Sequence, residues 1–388
     1  MRGDLVMPKK IIAETFLDIA NAIESGEFGK KVRIGLTTLG SEHGTENLVK
    51  GAHLAKSNLF DIVLIGPKVE TELEVVEVNE ESEMHSKMEE LLDSGYIDAC
   101  VTMHYNFPIG VSTVGRVITP GRGKEMILAT TTGTSATNRI EAMVRNAVYG
   151  ISTAKSIGIK NPTVGILNVD GARQVEKALK DLQANGYDIS FAESVRADGG
   201  CVMRGNDLLC GAPDVMVTDT LSGNIFMKVF SSFTTGGDYE AQGFGYGPGV
   251  GEGYDRKILI LSRASGSPVV ANALRYAYDV VKGDVTKVSK DEFKNVKNAK
   301  YDDIIAALTK KEVKKDNDEE VAMPAKEVVT HQISGVDIMD LEDAVKVLWK
   351  NGIYAESGMG CTGPIVLVAD GKGEACVKML LDAGYTAK

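Results

Sequence analysis

The chain has 388 residues, 43% of them hydrophobic, enough to bury one large core or two lobes sharing a cleft. Its 54 acidic and 43 basic residues leave a formal charge of −11, which excludes nucleic-acid backbones and anionic membranes as default partners. A small anion would need a local positive site.

Five cysteines, at 100, 201, 210, 361 and 376, form neither a disulfide framework nor a CxxC pair, so reduced thiols and no metal centre are expected. At the N-terminus, Pro8 to Phe28 carries Ile11, Ile12, Phe16, Ile19 and Ile23 at helical spacing among charges, a pattern unlike a signal peptide. No run approaches the ~20 apolar residues of a membrane span, and a cytoplasmic protein is expected.

After that helix, Lys31 to Leu36 reads as a strand, Thr37 to Thr45 as a turn, Glu46 to Ser57 as a helix and Asp61 to Ile65 as a second strand. The alternation continues with strands at Asp98 to Met103, Met126 to Thr130, Thr163 to Val169 and Val215 to Thr218, and helices at Asn138 to Ile157 and Ala172 to Asn185. Such spacing predicts an α/β fold with a mostly parallel, doubly wound sheet and ligands at the carboxyl ends of its strands.

From Gly236 to Gly253, "GGDYEAQGFGYGPGVGEG", eight of eighteen residues are glycine, which predicts a mobile loop or lid. No strand-led Gly-x-Gly-x-x-Gly opens a helix and no Walker A sequence occurs, so neither dinucleotide nor P-loop nucleotide binding is supported. Between Lys300 and Lys326 the chain is strongly charged and reads as a solvated segment or linker. Beyond it, a helix at Asp340 to Lys350, a strand at Pro364 to Ala369 and a helix at Gly373 to Ala383 predict a small αβα unit. The expected division is a core of 1–335 and a C-terminal unit of 336–388.

Four stretches carry chemistry. Cys361, in "SGMGCTGPIVLVA", is flanked by glycines whose backbone N–H groups could stabilise a thiolate or a thioester oxyanion. A structural thiol is equally compatible with those residues. Cys100 ends the strand "YIDAC" with His104 four residues on, a second and weaker nucleophile candidate. In "LSRASGSPVV" a strand runs into Ser262 and Arg263, then Ser265 or Ser267 caps a helix opening at Pro268, the composition of a phosphate seat. In "VMVTDTLSGNIFMK" a strand leads to Asp219, and a helix carries Asn224 and Lys228, a second ligand corner.

Those motifs also carry a resemblance. "VTDTLSGNIFMK" resembles the Asp-Gly-Phe-x-Gly-Asn-x-x-Leu-Lys motif of the phosphate acyltransferases of bacterial phospholipid synthesis. "TTLGSEHGTENLVKGA" and "NPTVGILNVDG" are similar to other segments of that family, and "LSRASGSPVVANAL" is similar to the Ser-Arg segment of phosphotransacetylases. Thr220 and Leu221 depart from the Gly-Phe of the acyltransferase motif, and "GYGPGVG" from its Gly-Gly-Ala-Pro-Leu-Leu-Gly, which argues against a long-chain acyl-carrier substrate. With "ESGMGCTGPIVLVADGKGEACVKML" added, the whole chain resembles the component C alpha subunits of glycine/sarcosine/betaine reductase complexes.

The resemblance implies a two-lobed, isocitrate-dehydrogenase-like core and phosphorolysis of an acetyl thioester to acetyl phosphate. Inorganic phosphate is then a substrate, and no cofactor or metal is needed in this chain. It further implies Cys361 as acetyl carrier with Cys100 as second candidate, and Ser262, Arg263, Ser265, Ser267, Asp219, Asn224 and Lys228 about the phosphate and acyl group. An oligomeric assembly is implied too, with a component C beta subunit similar to ketoacyl synthases and a component A selenoprotein carrying a carboxymethyl-selenoether. Two alternatives remain at this level: an acyl-CoA or acyl-carrier-protein phosphate acyltransferase in which Cys361 is structural, and a non-catalytic docking subunit.

Overall fold

The structure, a computed structural model, describes residues 15–17, 19, 20, 23, 31–197, 199–309, 321–337, 340–360 and 363–385. Most of the expected N-terminal helix, the charged run 310–320, and Cys361 with Thr362 lie outside the described residues.

The chain opens as a βαβ unit. Strand β1 (Val32–Thr37) and β2 (Phe60–Gly66, FDIVLIG) are apolar almost throughout because both faces of a parallel sheet are covered, and α1 (Gly44–Ala55) crosses between them. Next come β3 (Glu74–Glu77), α2 (Glu81–Asp93), β4 (Ala99–Thr102), β5 (Val111–Ile118) and β6 (Glu125–Thr134). Helix α3 (Arg139–Ser156) starts where the Asn138 side chain accepts from the amides of Ile140 and Glu141. It runs through the core with twelve of its residues buried. Then follow β7 (Thr163–Leu167), the amphipathic α4 (Ala172–Ala184), β8 (Ser190–Phe191), β9 (Val202–Met203), α5 (Gly205–Cys210), β10 (Val215–Val217) and α6 (Thr220–Ser232). Strands β11 (Gly247–Gly251) and β12 (Ile258–Ile260) and helices α7 (Ser267–Lys282), α8 (Val285–Asn298) and α9 (Tyr301–Thr309) finish the core.

The main sheet has the order β3-β2-β1-β4-β12-β11-β5-β6-β10-β7-β8, with β9 beside β7. It is mostly parallel, as the alternation predicts. Two parallel halves, β3 to β12 and β6 to β8, are joined by antiparallel pairings of β11 with β12, β11 with β5, and β5 with β6. The halves therefore run in opposite directions. In a flat sheet their carboxyl ends would lie on opposite edges; instead both reach one cleft, so the sheet coils through β11 and β5, where a register shift falls between Thr113 and Val114.

The glycine run is the main correction. Gly247–Gly251 is not a mobile loop but a buried strand at the middle of the sheet. Gly247 has φ of 83°, and a Cβ there would overlap the carbonyl oxygen of Val114. Glycine here allows backbone to meet backbone, and the composition that looked flexible marks close packing. The charged segment also needs revision, because Tyr301 and Ile305 are buried and anchor α9 on the core.

The C-terminal unit holds β13 (His331–Ser334), α10 (Leu341–Lys350), β14 (Ala355–Gly360), β15 (Gly363–Val368) and α11 (Gly373–Asp382). It is a three-stranded antiparallel sheet, β13-β15-β14, with two helices, so β13 and β14 join the expected helix, strand and helix. The strand "AESGMG" carries little β-branched signal, which hid it among turn residues. Ile333, Val345, Leu348, Val366, Cys376 and Leu380 belong to a core separate from that of the main sheet. No helix among the described residues is long and apolar enough to cross a membrane.

Two glycines separate conformational cost from close approach. Gly95, which follows α2 with φ of 67°, has nothing within 4 Å of the place a Cβ would occupy, so Gly95→Ala is expected to cost only about 1 kcal/mol. Gly247→Ala adds the collision with Val114 and is expected to cost about 4 kcal/mol or more. Urea unfolding midpoints of the two variants check the difference.

Candidate functional site

A cleft of about 640 Å³ opens where the carboxyl ends of the two half-sheets meet. Ser262 and Arg263, just past β12, form one side; Asn224 and Lys228 on α6 face them. His104, after β4, and Thr132 and Gly133, at the end of β6, add to the wall, and Tyr246, leading into β11, completes it. Four of the residues singled out in two separate sequence motifs thus converge.

The Ser262–Gly266 loop is held from two directions. The segment entering α1 grips it: the Glu42 amide donates to the Arg263 carbonyl at 2.9 Å, His43 Nε2 lies 3.2 Å from the Ala264 carbonyl, and Asn47 Nδ2 donates to the Ser265 carbonyl at 3.0 Å. From the other side the Glu240 amide donates to the Ala264 carbonyl at 3.0 Å, and the Gly266 amide to the Glu240 carbonyl at 2.9 Å. Every one of these bonds fixes backbone. The Arg263 side chain stays about half exposed, with a long 3.4 Å contact to Glu81 that counts for little in water.

The expectation that Ser265 or Ser267 caps the helix is not met. Gly266 is the N-cap of α7 without a side-chain cap bond, Pro268 has no N–H, and the Val269 and Val270 amides are taken by the Gly266 carbonyl. Ser265 and Ser267 are both buried, and neither lines the cleft. The cleft's positive character therefore comes from side chains, Arg263 and Lys228, against the single carboxylate of Glu42.

On the opposite side Asp219 is the N-cap of α6. Its carboxylate accepts from the Ser222 amide at 3.0 Å and the Ser222 hydroxyl at 2.7 Å, and pairs with Arg139 at 3.3 Å. It does not line the cleft; it sets the helix that does. Gly223 lets that helix lie against β6, since a Cβ there would overlap the Thr130 carbonyl oxygen. Asn224 Nδ2 donates to the Thr131 carbonyl at 3.0 Å, and Lys228 Nζ sits 5.9 Å from the centre of the Tyr246 ring.

Behind the cleft wall lies a residue that sequence reasoning missed. Glu240 is 3% exposed, and its carboxyl accepts from the Ser265 hydroxyl at 2.9 Å and the Tyr246 hydroxyl at 3.2 Å. Burial raises its pKa above the ordinary carboxylate range, opposed by the hydroxyls of Ser265 and Ser262, by the Lys228 charge and by Tyr246. An acid two residues past Asp238 inside a glycine-rich run, "GGDYEAQG", was the only available signal.

The cysteines divide differently from the expectation. Cys100 is fully buried in β4, where a Cβ on Gly35 would press its sulfur, and burial pushes the thiol far above its usual range. His104 lines the cleft and has His85 as ring neighbour, whereas Cys100 does not line it. Cys361 lies outside the described residues, with β14 and β15 paired up to Gly360 and Gly363 on either side of it in sequence. Among the described residues no group of three or more metal-ligating side chains occurs.

Known proteins share this sequence to different depths. The family model described as fatty acid synthesis protein matches residues 32–367. The glycine/sarcosine/betaine reductase complex component C subunit alpha of Peptoclostridium acidaminophilum is 69% identical over 381 residues, covering 98% of this chain and 99% of that protein. The phosphate acyltransferase of Thermotoga petrophila is 27% identical over 234 residues, 51% of this chain and 67% of its own. Among solved structures, a branched-chain phosphotransacylase from Enterococcus faecalis is 17% identical with a TM-score of 0.47, over 64% of this chain and 99% of that one. The chain belongs to the fatty acid synthesis protein family, and within it to the component C alpha subunits of glycine/sarcosine/betaine reductase complexes.

Proposed function

We propose that this chain transfers an acetyl group from a thioester to inorganic phosphate, releasing acetyl phosphate. The observation that carries the reading is the meeting of Arg263 and Lys228 with Ser262 and Asn224 across one cleft of an otherwise acidic protein. Phosphate is a weak nucleophile that other anions repel, so neutralising and orienting it supplies most of the acceleration. Relatives named phosphate acyltransferase and component C subunit alpha support acyl transfer to phosphate as the reaction class.

In this reading Arg263 and Lys228 bind phosphate oxygens, Ser262 and Asn224 orient the phosphate and the acyl carbonyl, and Asp219 acts through α6 by fixing Asn224 and Lys228. A phosphate oxygen attacks the carbonyl carbon; the C–O bond forms, the C–S bond breaks, and the proton brought by hydrogen phosphate leaves on the thiol. Cys361 is the acetyl carrier, loaded through a beta subunit from a selenoprotein-borne carboxymethyl group. Conversion of that group to acetyl breaks the C–Se bond and reduces the methylene carbon with two electrons supplied by oxidation of the selenium and a partner thiol to a selenium–sulfur bond. Ser265 and Ser267 support the loop rather than the substrate.

Acetyl phosphate, trapped as its hydroxamate from acetyl-CoA and phosphate or from the partner-loaded donor, reads the reaction. Removing one charged donor costs about 1.5–3 kcal/mol, so Arg263→Ala or Lys228→Ala is expected to raise the phosphate KM about 10- to 100-fold. A variant with unchanged phosphate KM removes that residue from the anion seat.

Cys361→Ala tests the carrier separately. Turnover from the partner-loaded donor is expected to fall about a thousand-fold or more, and mass mapping of wild-type chain trapped in turnover should find one acetyl group on the peptide holding Cys361. Unchanged turnover in the variant leaves the substrate to bring its own thiol.

A further inference from the structure

We propose that His104 is the acid that protonates the leaving sulfur as phosphate takes the acetyl group. The inference deepens the phosphorolysis argued above and rests on it.

The register of the sheet places His104 beside the anion seat. β12 pairs with β4 in parallel, Ile258 with Cys100 and Ile260 with Thr102, and the Leu261 amide donates to the Thr102 carbonyl at 2.8 Å, carrying the ladder one residue further. Two residues beyond the last pair stand Ser262 on one segment and His104 on the other. Neighbouring strands run about 4.8 Å apart, so these two residues leave the sheet side by side and at one height. Both line the cleft. The Thr37 hydroxyl donates to that of Thr102 at 2.8 Å, and the Thr102 hydroxyl donates to the His104 carbonyl at 3.4 Å, which ties the backbone of His104 to two strand ends. Its ring has the His85 ring 6.4 Å away between centroids, and among the described residues neither of its nitrogens is hydrogen-bonded.

The reaction needs a proton at this place. In the tetrahedral intermediate phosphate and sulfur compete to leave, and hydrogen phosphate is a weaker base than the thiolate of an alkyl thiol, whose pKa is about 8.5. Protonating the sulfur turns the partition toward product. Other donors lining the cleft are committed: the Tyr246 hydroxyl donates to Glu240 at 3.2 Å and the Tyr105 hydroxyl to Glu89 at 2.7 Å, while a guanidinium such as that of Arg263 does not release its proton. Imidazole is the side-chain type that exchanges protons near neutral pH. The step balances: the imidazolium gives its proton to sulfur as the C–S bond breaks, and the neutral ring then takes the proton that hydrogen phosphate brought. Acetyl phosphate and the thiol depart, and the imidazolium is restored.

Two acetyl thioesters separate this role from anion binding. Both are given to the full chain carrying Cys361→Ala, so that the acetyl group does not pass through that thiol first. The N-acetylcysteamine thioester has an alkyl thiolate that needs a proton to leave, whereas the thionitrobenzoate thioester has an aromatic thiolate that leaves unaided at neutral pH. Adding His104→Gln is expected to lower kcat about 100-fold with the first and to change it little with the second, the phosphate KM being held in both. His104 is exposed, so the substitution is expected to keep the urea unfolding midpoint, and His104→Ala repeats the comparison.

Equal losses with both thioesters, or a change confined to the phosphate KM, overturn the assignment of His104 and leave phosphorolysis standing. Acetyl phosphate formed from neither thioester by the folded Cys361→Ala chain also overturns the assignment. Its absence from the partner-loaded donor with wild-type chain overturns the phosphorolysis reading as well.

Discussion

The close approach of a glycine strand to its neighbour is the constraint on which the rest of this molecule depends. At Gly247 the backbone of β11 lies against the Val114 carbonyl of β5, a distance no side chain permits. Through this contact two parallel half-sheets of opposite direction are joined and coiled until their carboxyl ends face one another. Each half alone would offer a row of strand ends and helix starts. Together they enclose a cleft, with one cation from each side.

The same economy of side chains governs the site. Gly223 brings α6 against β6, and Asp219 caps that helix, so Asn224 and Lys228 are carried on a rigid element. The opposite loop has no regular structure of its own, and it is fixed by bonds from the α1 entry and from Glu240, all to its backbone except that of the Ser265 hydroxyl to the Glu240 carboxyl. Backbone anchoring leaves the Ser262 and Arg263 side chains available to a ligand. A protein of net charge −11 can hold an anion in this way, because at short range two nearby cations outweigh distant, solvent-screened carboxylates.

The C-terminal unit is built on other terms. Its sheet is antiparallel, and its core of Ile333, Leu348, Val366 and Leu380 is distinct from that under the main sheet. The pairing of β14 with β15 runs through Gly358 and up to Gly360 and Gly363, so the glycines flanking Cys361 are strand residues rather than a loose turn. Cys376, on α11, belongs to that core and is a packing residue.

Periodicity alone determined most of the architecture. Apolar runs such as FDIVLIG and the helical stripes of α3 and α4 are local consequences of burial on two faces or one, and they read directly as a mostly parallel α/β sheet. The Ser262-Arg263 and Asn224-Lys228 corners were legible because strand-to-helix junctions collect ligand-binding residues in this class of fold. That these corners share one cleft was decided by tertiary structure, since it depends on a bend at β11 and β5 between segments far apart in sequence. So were the burial of Cys100 and of Glu240: a thiol in a strand and an acid among glycines look alike in sequence whether they face water or core, and only packing sets the dielectric around them.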